Sequence, residues 1–108
     1  MLQALGYLIP VLTGLLAAGA MAADAAEIAI DGMVFTPAKI SVRQGGTVRW
    51  VNRDRIPHVI ALGDEVRSPV LAPGESFEWT FSRPGTFAYG CRIHPGMEAE
   101  LTVESSRN

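Results

Sequence analysis

Past residue 26 the chain alternates apolar and polar residues over short segments, with a period of two. Every second side chain of such a segment lies on the same face, so the pattern predicts half-buried β-strands. The apolar residues that repeat in this way are Ile28 and Ile30, Ile40 and Val42, Val48 and Trp50, Phe77, Trp79 and Phe81, Phe87 and Tyr89, and Leu101 and Val103. Helical periodicity over ten residues occurs nowhere in this part of the chain, and we therefore expect an all-β fold.

Turn-forming residues separate the predicted strands. They lie at Gln44-Gly45-Gly46, Ala72-Pro73-Gly74-Glu75 and Arg83-Pro84-Gly85-Thr86. Proline supplies the fixed φ and glycine the positive φ that tight turns require. Some seven or eight short strands at this spacing predict an antiparallel β-sandwich, with Trp50 and Trp79 in its core.

The N-terminal residues have a different pattern. Residues 1–23 contain no charged side chain, are rich in leucine up to Leu16, and are rich in small residues from there onward. This order is typical of an export signal, and the triplet Ala20-Met21-Ala22 suits a signal peptidase. We therefore expect a signal peptide at residues 1–22.

Cleavage after Ala22 leaves one domain at residues 23–108, and Ala25 is a second possible cleavage site. The alternative is an uncleaved membrane anchor, since about 20 apolar residues can span a bilayer. Three glycines and a proline interrupt the apolar run. These residues favour a cleaved signal and no stable insertion into the membrane.

The composition and charge of the chain exclude several classes of protein. Its 108 residues correspond to a single domain, and 11 acidic against 9 basic residues give a net charge of −2. The basic residues form no stripe of the kind that collects phosphates, so nucleic acid is not expected as a partner. With one cysteine the chain cannot close an intramolecular disulfide, which excludes a disulfide-stapled scaffold.

The candidate chemistry lies in one motif, Cys91-Arg92-Ile93-His94-Pro95-Gly96-Met97, and in His58, which precedes segment 59–62. The chain has no other cysteine or histidine. Thiolate and thioether are soft ligands that stabilise Cu(I), and imidazole binds both oxidation states of copper. Two histidines, a cysteine and a weak axial methionine are the blue-copper ligand set, whereas zinc does not normally use methionine. The motif therefore predicts one copper ion in a site without an open position for a substrate.

The residues around this motif resemble the cupredoxins, the family of blue copper proteins. Trp50-Val51-Asn52-Arg53, leading to Pro57-His58, is similar to the family segment that bears the first histidine. The segments 72–77 and 81–91 are similar to the family's approach to its cysteine. Two residues separate Cys91 from His94 and two separate His94 from Met97. These loop lengths resemble those of the amicyanins, whereas other branches of the family have longer loops.

The resemblance implies an eight-stranded Greek-key sandwich with one type 1 copper ion bound by His58, Cys91, His94 and Met97. It also implies a monomeric periplasmic electron carrier in which copper alternates between Cu(II) and Cu(I). The implied donor is methylamine dehydrogenase or another dehydrogenase, and the implied acceptor is a c-type cytochrome, each bound transiently.

We expect electrons to leave the site through His94. Its neighbours in the motif are apolar, and Ile56-Pro57 on the facing loop extends a small apolar surface of the kind that transient redox partners use. Basic residues around this surface would attract an acidic partner. The arginines expected there are Arg53, Arg55 and Arg92.

The chain departs from the family pattern near the ligands, and other functions remain open. Val59 stands where relatives commonly have an asparagine that ties the two ligand loops together, and Gly90 stands where they have a bulky residue. A periplasmic copper-binding or delivery protein could use the same ligands, and a metal-free adhesion module would need none of them. An enzyme is not expected, because no Ser/His/Asp set remains once both histidines bind metal.

Overall fold

Residues 22–105 are the part of the chain that the computed structural model describes, and within them the polypeptide forms strands and no helix. The strands are β1 (Ala23–Asp31), β2 (Val34–Thr36), β3 (Lys39–Asn52), β4 (Ile60–Leu62), β5 (Val66–Arg67), β6 (Ser76–Thr80), β7 (Gly85–Cys91) and β8 (Glu98–Glu104). The all-β prediction is therefore confirmed. Apart from Ala22, the predicted signal peptide at residues 1–22 lies outside the described residues. Within 22–105 there is no helix long and apolar enough to span a membrane.

Strand β3 connects the two layers of the sandwich. Its first half, Lys39–Arg43, pairs with β8, and its second half, Thr47–Val51, pairs with β6. β1 lies beside the second half of β3 and carries β2 on its other edge. From β8 the hydrogen-bonded path continues through β7 and β4 to β5. One layer therefore contains β2, β1 and β6, the other contains β8, β7, β4 and β5, and β3 belongs to both.

Two details of the sequence prediction are wrong. Gln44-Gly45-Gly46 is predicted to be a turn between strands, but it is an irregular point within β3, where Gly45 has a φ of 88°. A positive φ at glycine bends the strand there, so that β3 can leave one layer and enter the other. The pairs β1·β3 and β3·β8 are parallel rather than antiparallel. Period-two alternation sets which face of a strand is buried and carries no information on its direction.

Trp50 stands at the centre of the core. Its fully buried indole contacts the rings of Phe77, Phe81 and Tyr89, with centroids 6.0, 6.4 and 5.6 Å away. Because Phe77 belongs to β6 and Tyr89 to β7, these contacts join the two layers. Removing a ring from such a core typically costs about 3–5 kcal/mol. Burial raises the pKa of Tyr89 to about 12, an effect that the neighbouring Trp50 partly offsets.

The prediction that Trp79 lies in the core is wrong, since its side chain is 40% exposed. It shares one face of β6 with Phe77 and stacks on that ring at a centroid distance of 6.2 Å. Among the described strands, however, β6 pairs only with β3. This single pairing leaves part of Trp79 open to solvent.

The turn between β1 and β2 holds a strained residue. Its two central residues, Gly32 and Met33, have φ values of 68° and 65°, as a type I′ hairpin turn requires. The left-handed conformation costs a residue with a Cβ atom about 1–2 kcal/mol. Both backbone N–H groups donate to the carboxylate of Asp54. The distance is 2.6 Å from Gly32 N to Oδ1 and 3.0 Å from Met33 N to Oδ2. These hydrogen bonds from outside the hairpin hold the turn in its strained conformation.

Replacement of Met33 by glycine is expected to raise the free energy of unfolding by about 1 kcal/mol, because glycine adopts positive φ without the steric cost. The Met33 side chain is 40% exposed, so the substitution removes little buried apolar contact. Urea unfolding of M33G and the wild type measures the change. Val34→Gly, one position further in the extended strand, is the control and is expected to lower the stability. An M33G variant less stable than the wild type would contradict the argument.

Candidate metal centre

The predicted ligands come from two separate parts of the fold. His58 lies just before β4 and is joined to Leu71 by two backbone hydrogen bonds of 3.1 and 2.8 Å. Cys91 is the last residue of β7, and His94 lies in the loop that leads to β8. Strands β4 and β7 pair with Ile60 opposite Cys91. This pairing brings the segment that carries His58 against the cysteine.

The donor atoms of these three side chains converge. The Sγ of Cys91 lies 3.6 Å from His58 Nδ1 and 3.4 Å from His94 Nδ1, and the two nitrogens are 3.1 Å apart. His58 and Cys91 are buried, and His94 is half-buried. In residues 22–105 no other set of three histidine, cysteine or acidic side chains converges in this way.

The triangle of donor atoms has the dimensions of a trigonal metal site. With metal–nitrogen bonds of about 2.0 Å and metal–sulfur bonds of about 2.3 Å, donors at 120° lie roughly 3.5–3.7 Å apart. The observed separations of 3.1, 3.4 and 3.6 Å approach these values. One thiolate and two imidazoles suit copper in both of its oxidation states, so the residues present fit a copper ion.

Met97 closes the loop that carries two of these side chains. Its N–H donates to the carbonyl of His94 at 3.2 Å, and its own carbonyl accepts from the N–H of Cys91 at 3.4 Å. The Met97 side chain is buried, and the residue lines the same surface depression as Cys91. The structure therefore places the predicted fourth ligand in the same folded-back loop as the cysteine.

Gly90 allows this loop to return so closely to β7. A Cβ atom at Gly90 would lie 2.6 Å from the carbonyl oxygen of Met97, a distance that real Cβ atoms essentially never show. Any side chain at this position would push Met97 away from the strand. The departure from the family pattern at Gly90 is thus coupled to the path of the ligand loop.

Val59 ties the two ligand segments together through its backbone. Its N–H donates to Cys91 Sγ at 3.4 Å, and its carbonyl accepts from Arg92 N–H at 2.9 Å. The link expected from an asparagine side chain in the family pattern is therefore made here by the main chain of a valine.

Asn52 organises the loop before His58. Its buried side-chain amide donates to the carbonyls of Ile56 and Leu71, both at 2.9 Å, and its Oδ1 accepts from the N–H of Asp54 at 2.9 Å. All three polar sites of a fully buried side chain are thereby used on backbone groups. Sequence analysis identified Asn52 only as part of a segment that resembles the family, and it predicted no role for this side chain.

Asp54 is a functional residue that sequence reasoning missed. Its Oδ2 lies 2.9 Å from His58 Nε2, and the same carboxylate accepts the two N–H groups of the β1–β2 turn. A carboxylate on one ring nitrogen fixes the orientation of the imidazole and leaves the other nitrogen free for a metal. The only signal in the sequence is an acidic residue four positions before a histidine, and most acidic loop residues are simply solvated.

The contacts of Asp54 also set its charge. Burial raises the pKa of this carboxyl, but hydrogen bonds from Met33, Gly32 and His58 outweigh burial, so that its pKa lies below the ordinary value. Asp54 therefore carries its negative charge at neutral pH beside the ring of His58.

The apolar and basic residues that the sequence predicts around His94 are exposed. Ile93 and Ile56 are 47% and 40% exposed. All three arginines expected near this surface, Arg53, Arg55 and Arg92, are exposed. Arg53 lies 3.7 Å from the carboxylate of Glu27, an exposed ion pair of the kind that contributes at most about 1 kcal/mol.

Known proteins share this fold and sequence pattern. The sequence profile of the copper-binding proteins of the plastocyanin/azurin family matches residues 22–104. Amicyanin-alpha of Methylorubrum extorquens is 30% identical over 104 residues, covering 85% of this chain and 87% of that protein. A purple cupredoxin from Nitrosopumilus maritimus is similar with a TM-score of 0.69 and 31% identity, over 73% of this chain and 99% of that chain. A reduced Cu(I) form of an amicyanin variant at pH 4 is similar with a TM-score of 0.70 and 27% identity, over 78% of this chain and 86% of that chain.

These similarities agree with the sandwich and with the ligand chemistry. The predicted Greek-key β-sandwich is confirmed by the solved cupredoxins, and the predicted cofactor by the copper-binding family. Since the family profile spans the described residues up to Glu104, the chain belongs to the cupredoxins, the plastocyanin/azurin family of copper-binding proteins, and its metal is copper.

Proposed function

We propose that this protein is a periplasmic electron carrier with one type 1 copper ion bound by His58, Cys91, His94 and Met97. The observation that carries the proposal is the convergence of one thiolate and two imidazoles, 3.1–3.6 Å apart, in a site that the fold itself builds. Copper bound there supplies the one-electron chemistry, because it alternates between Cu(II) and Cu(I).

The residues around the site support a carrier rather than a delivery protein. Asp54 holds the ring of His58, and the N–H of Val59 contacts the sulfur of Cys91. Backbone hydrogen bonds close the loop from Cys91 to Met97. Ligands held in this way rearrange little when the charge of the metal changes, which favours fast electron transfer. A delivery protein needs a site that opens, and an enzyme needs a free coordination position.

His94 is the proposed route for electrons. The exposed fractions of His58, Cys91 and Met97 are 0%, 7% and 6%, whereas His94 is only half-buried. Exposed Ile93, beside it in the loop, offers apolar contact of the small kind that suits weak, short-lived complexes. A redox partner that docks on this surface therefore comes within tunnelling distance of a ligand.

The similarity to amicyanins and the apolar N-terminal run support export to the bacterial periplasm with removal of residues 1–22. The proposed donor is methylamine dehydrogenase or another dehydrogenase, and the proposed acceptor is a c-type cytochrome. We propose that a monomer binds each of them transiently. The net charge of −2 without a basic stripe disfavours a nucleic-acid partner.

Titration of the metal-free protein with Cu(II) is expected to produce an intense blue thiolate-to-copper band that saturates at one equivalent and bleaches with ascorbate. Cys91→Ser removes the thiolate and is expected to abolish the band. Met97→Leu is expected to shift the band and the reduction potential, because the axial ligand tunes both. Met33→Leu is the matched control and is expected to change neither.

Two outcomes would contradict the proposal. A protein that stays colourless with Cu(II) has no thiolate-bound type 1 site. A blue protein that loses copper rapidly to a chelator, and exchanges electrons slowly with a c-type cytochrome, would instead indicate copper delivery.

Replacing Arg53, Arg55 and Arg92 together with glutamine is expected to flatten the salt dependence of electron exchange with an acidic partner. The three exposed cations attract such a partner over roughly a Debye length, and salt screens this attraction. Stopped-flow rates between about 0.01 and 0.15 M ionic strength measure the effect. The control changes the same charge elsewhere, at Arg43, Arg49 and Arg67. Equal salt dependence of the two triple variants would contradict docking at this surface.

Asp54→Ala is expected to weaken copper binding by about 10–100-fold, the usual effect of losing a partner that orients a ligating histidine. In the metal-free variant, the free energy of unfolding is also expected to lose the part of its pH dependence that Asp54 contributes. Because its pKa is lowered by folding, that contribution is present above the ordinary pKa of an aspartate and disappears as the pH falls through the folded pKa.

Competition with a chelator measures the affinity of the Asp54→Ala variant, and urea unfolding between about pH 2 and 7 measures the acid dependence. Asp64→Ala, in the exposed turn between β4 and β5, is the control with the same change of charge. Equal copper affinity of the two variants would show that the carboxylate does not orient His58.

A further inference from the structure

A line of neighbouring aromatic rings runs from Cys91 to the surface beside β6. Tyr89 lies two residues before Cys91 on the same face of β7. Its ring is 5.6 Å from that of Trp50, which is 6.0 Å from Phe77, which in turn is 6.2 Å from Trp79. These centroid distances are those of rings in contact. We call Tyr89, Trp50, Phe77 and Trp79 the aromatic line.

The two ends of the aromatic line differ in exposure. Tyr89 is 4% exposed and Trp50 is fully buried, whereas Trp79 is 40% exposed. The depression beside Trp79 is lined by residues such as Phe81 and Phe87 and by none from the ligand loop 92–97. The aromatic line thus reaches solvent at a place separate from the surface of His94.

The two indoles, Trp50 and Trp79, are the redox-active members of the aromatic line, and the chain contains no other tryptophan. An indole can lose an electron while it keeps its proton, so Trp50 needs no proton acceptor in the core. Oxidation of a phenol requires release of its proton, and the hydroxyl of Tyr89 has no acceptor for that proton among the described residues, since the neighbouring indole N–H of Trp50 can only donate. The two indoles are therefore the residues that are oxidised in turn. Phe77 provides the contact between them, and Tyr89 provides the contact between Trp50 and the copper site.

We propose that the aromatic line delivers an electron from the reduced copper centre at Cys91 to Trp79 after a one-electron oxidising radical has attacked this exposed indole. The line would thereby repair the protein surface. This proposal rests on the copper site of the proposed function. It assigns to Trp79 and Trp50 a protective role in addition to electron exchange through His94.

The steps balance in charge and atoms. The radical takes one electron from Trp79 and leaves as its anion, which makes Trp79 a radical cation. Trp50 gives one electron to Trp79, and the resulting Trp50 radical would be reduced by the one electron that a copper ion held by His58, Cys91, His94 and Met97 supplies when it is Cu(I). If the exposed Trp79 radical has lost its N–H proton to water, it takes a proton back when it is reduced. In the net reaction the attacking radical is reduced to its anion and Cu(I) is oxidised to Cu(II). Both indoles return to their original state. Electron transfer between the two indoles is close to isoenergetic, and the sequence is driven by its last step, because thiolate-bound Cu(I) is far easier to oxidise than indole.

Pulse radiolysis with the dibromide radical anion, which oxidises indoles and leaves as bromide, tests the proposal on the Cu(I)-loaded protein. We expect the absorption of the indole radical to decay in a first-order phase whose rate does not depend on protein concentration. The blue Cu(II) band is expected to rise at the same rate. In the metal-free protein this phase is absent, and mass spectrometry is expected to find the oxidation product on Trp79.

Variants of the aromatic line separate this route from direct attack on the copper. Trp50→Phe is expected to lose the coupled phase and to let the Trp79 radical decay as it does in the metal-free protein. Phe77→Leu removes the contact between the indoles, leaves both in place, and is expected to slow the coupled phase. It also keeps the test valid if the core variant does not fold. Phe87→Leu, a ring outside the aromatic line, is the control and is expected to leave the rate unchanged.

The result that overturns the proposal is a blue protein in which Trp79 radicals never decay together with growth of the Cu(II) band, or decay equally fast in all three variants. Failure of the proposed function is distinct, because it shows beforehand as the absence of the blue band in the Cu(II) titration. In that case the oxidation product on Trp79 is expected to be the same with and without copper.

Discussion

The buried amide of Asn52 is the interaction on which the arrangement of the site depends. It stands at the end of β3, where the strand meets the loop that carries the first histidine, and it satisfies three backbone groups from outside its own strand. Leaving such groups unpaired in the core costs about 1–3 kcal/mol each, so the loop has little freedom to follow another path. That path puts Asp54 under the β1–β2 turn, and Asp54 in turn holds His58.

The second ligand segment is constrained by close packing rather than by a side-chain network. The loop after Cys91 is short, and the carbonyl of Met97 returns to within 2.6 Å of where a Cβ of residue 90 would be. Glycine makes room for this return, and the backbone of Val59 then joins the cysteine to the segment of His58. The two segments are therefore fixed separately and joined through Val59, at the sulfur of Cys91 and at the N–H of Arg92. Ligand segments held in this way have little room to move, as the proposed electron transfer requires.

Much of this could be predicted from the sequence, because the signals were local. Period-two alternation marks strands, and the spacing of Cys91, His94 and Met97 is visible without any structure. Long-range features could not be predicted. The bend of β3 at Gly45 looks like an ordinary turn, and alternation cannot tell that β1 and β8 both run parallel to β3.

The environments of individual side chains were also hard to predict when they depend on residues far away in the sequence. Trp79 has the alternation of a core residue, yet within residues 22–105 its strand pairs with a single neighbour, and the indole is 40% exposed. Asp54 has the sequence context of a solvated loop acid, and its role follows only from the meeting of a histidine ring and a hairpin turn that lies 21 and 22 residues away along the chain. In both cases the decisive neighbour is distant in sequence.

A crystal structure of the copper-loaded protein tests the central claim, that hydrogen bonds of the fold hold the copper ligands in place, most directly. The account predicts copper within the triangle of His58, Cys91 and His94 with the sulfur of Met97 on its axis. It also predicts a hydrogen bond from Asp54 to His58 and one from the N–H of Val59 to Cys91. Copper bound to other residues, or an Asp54 that does not contact His58 in the copper-loaded protein, would contradict it.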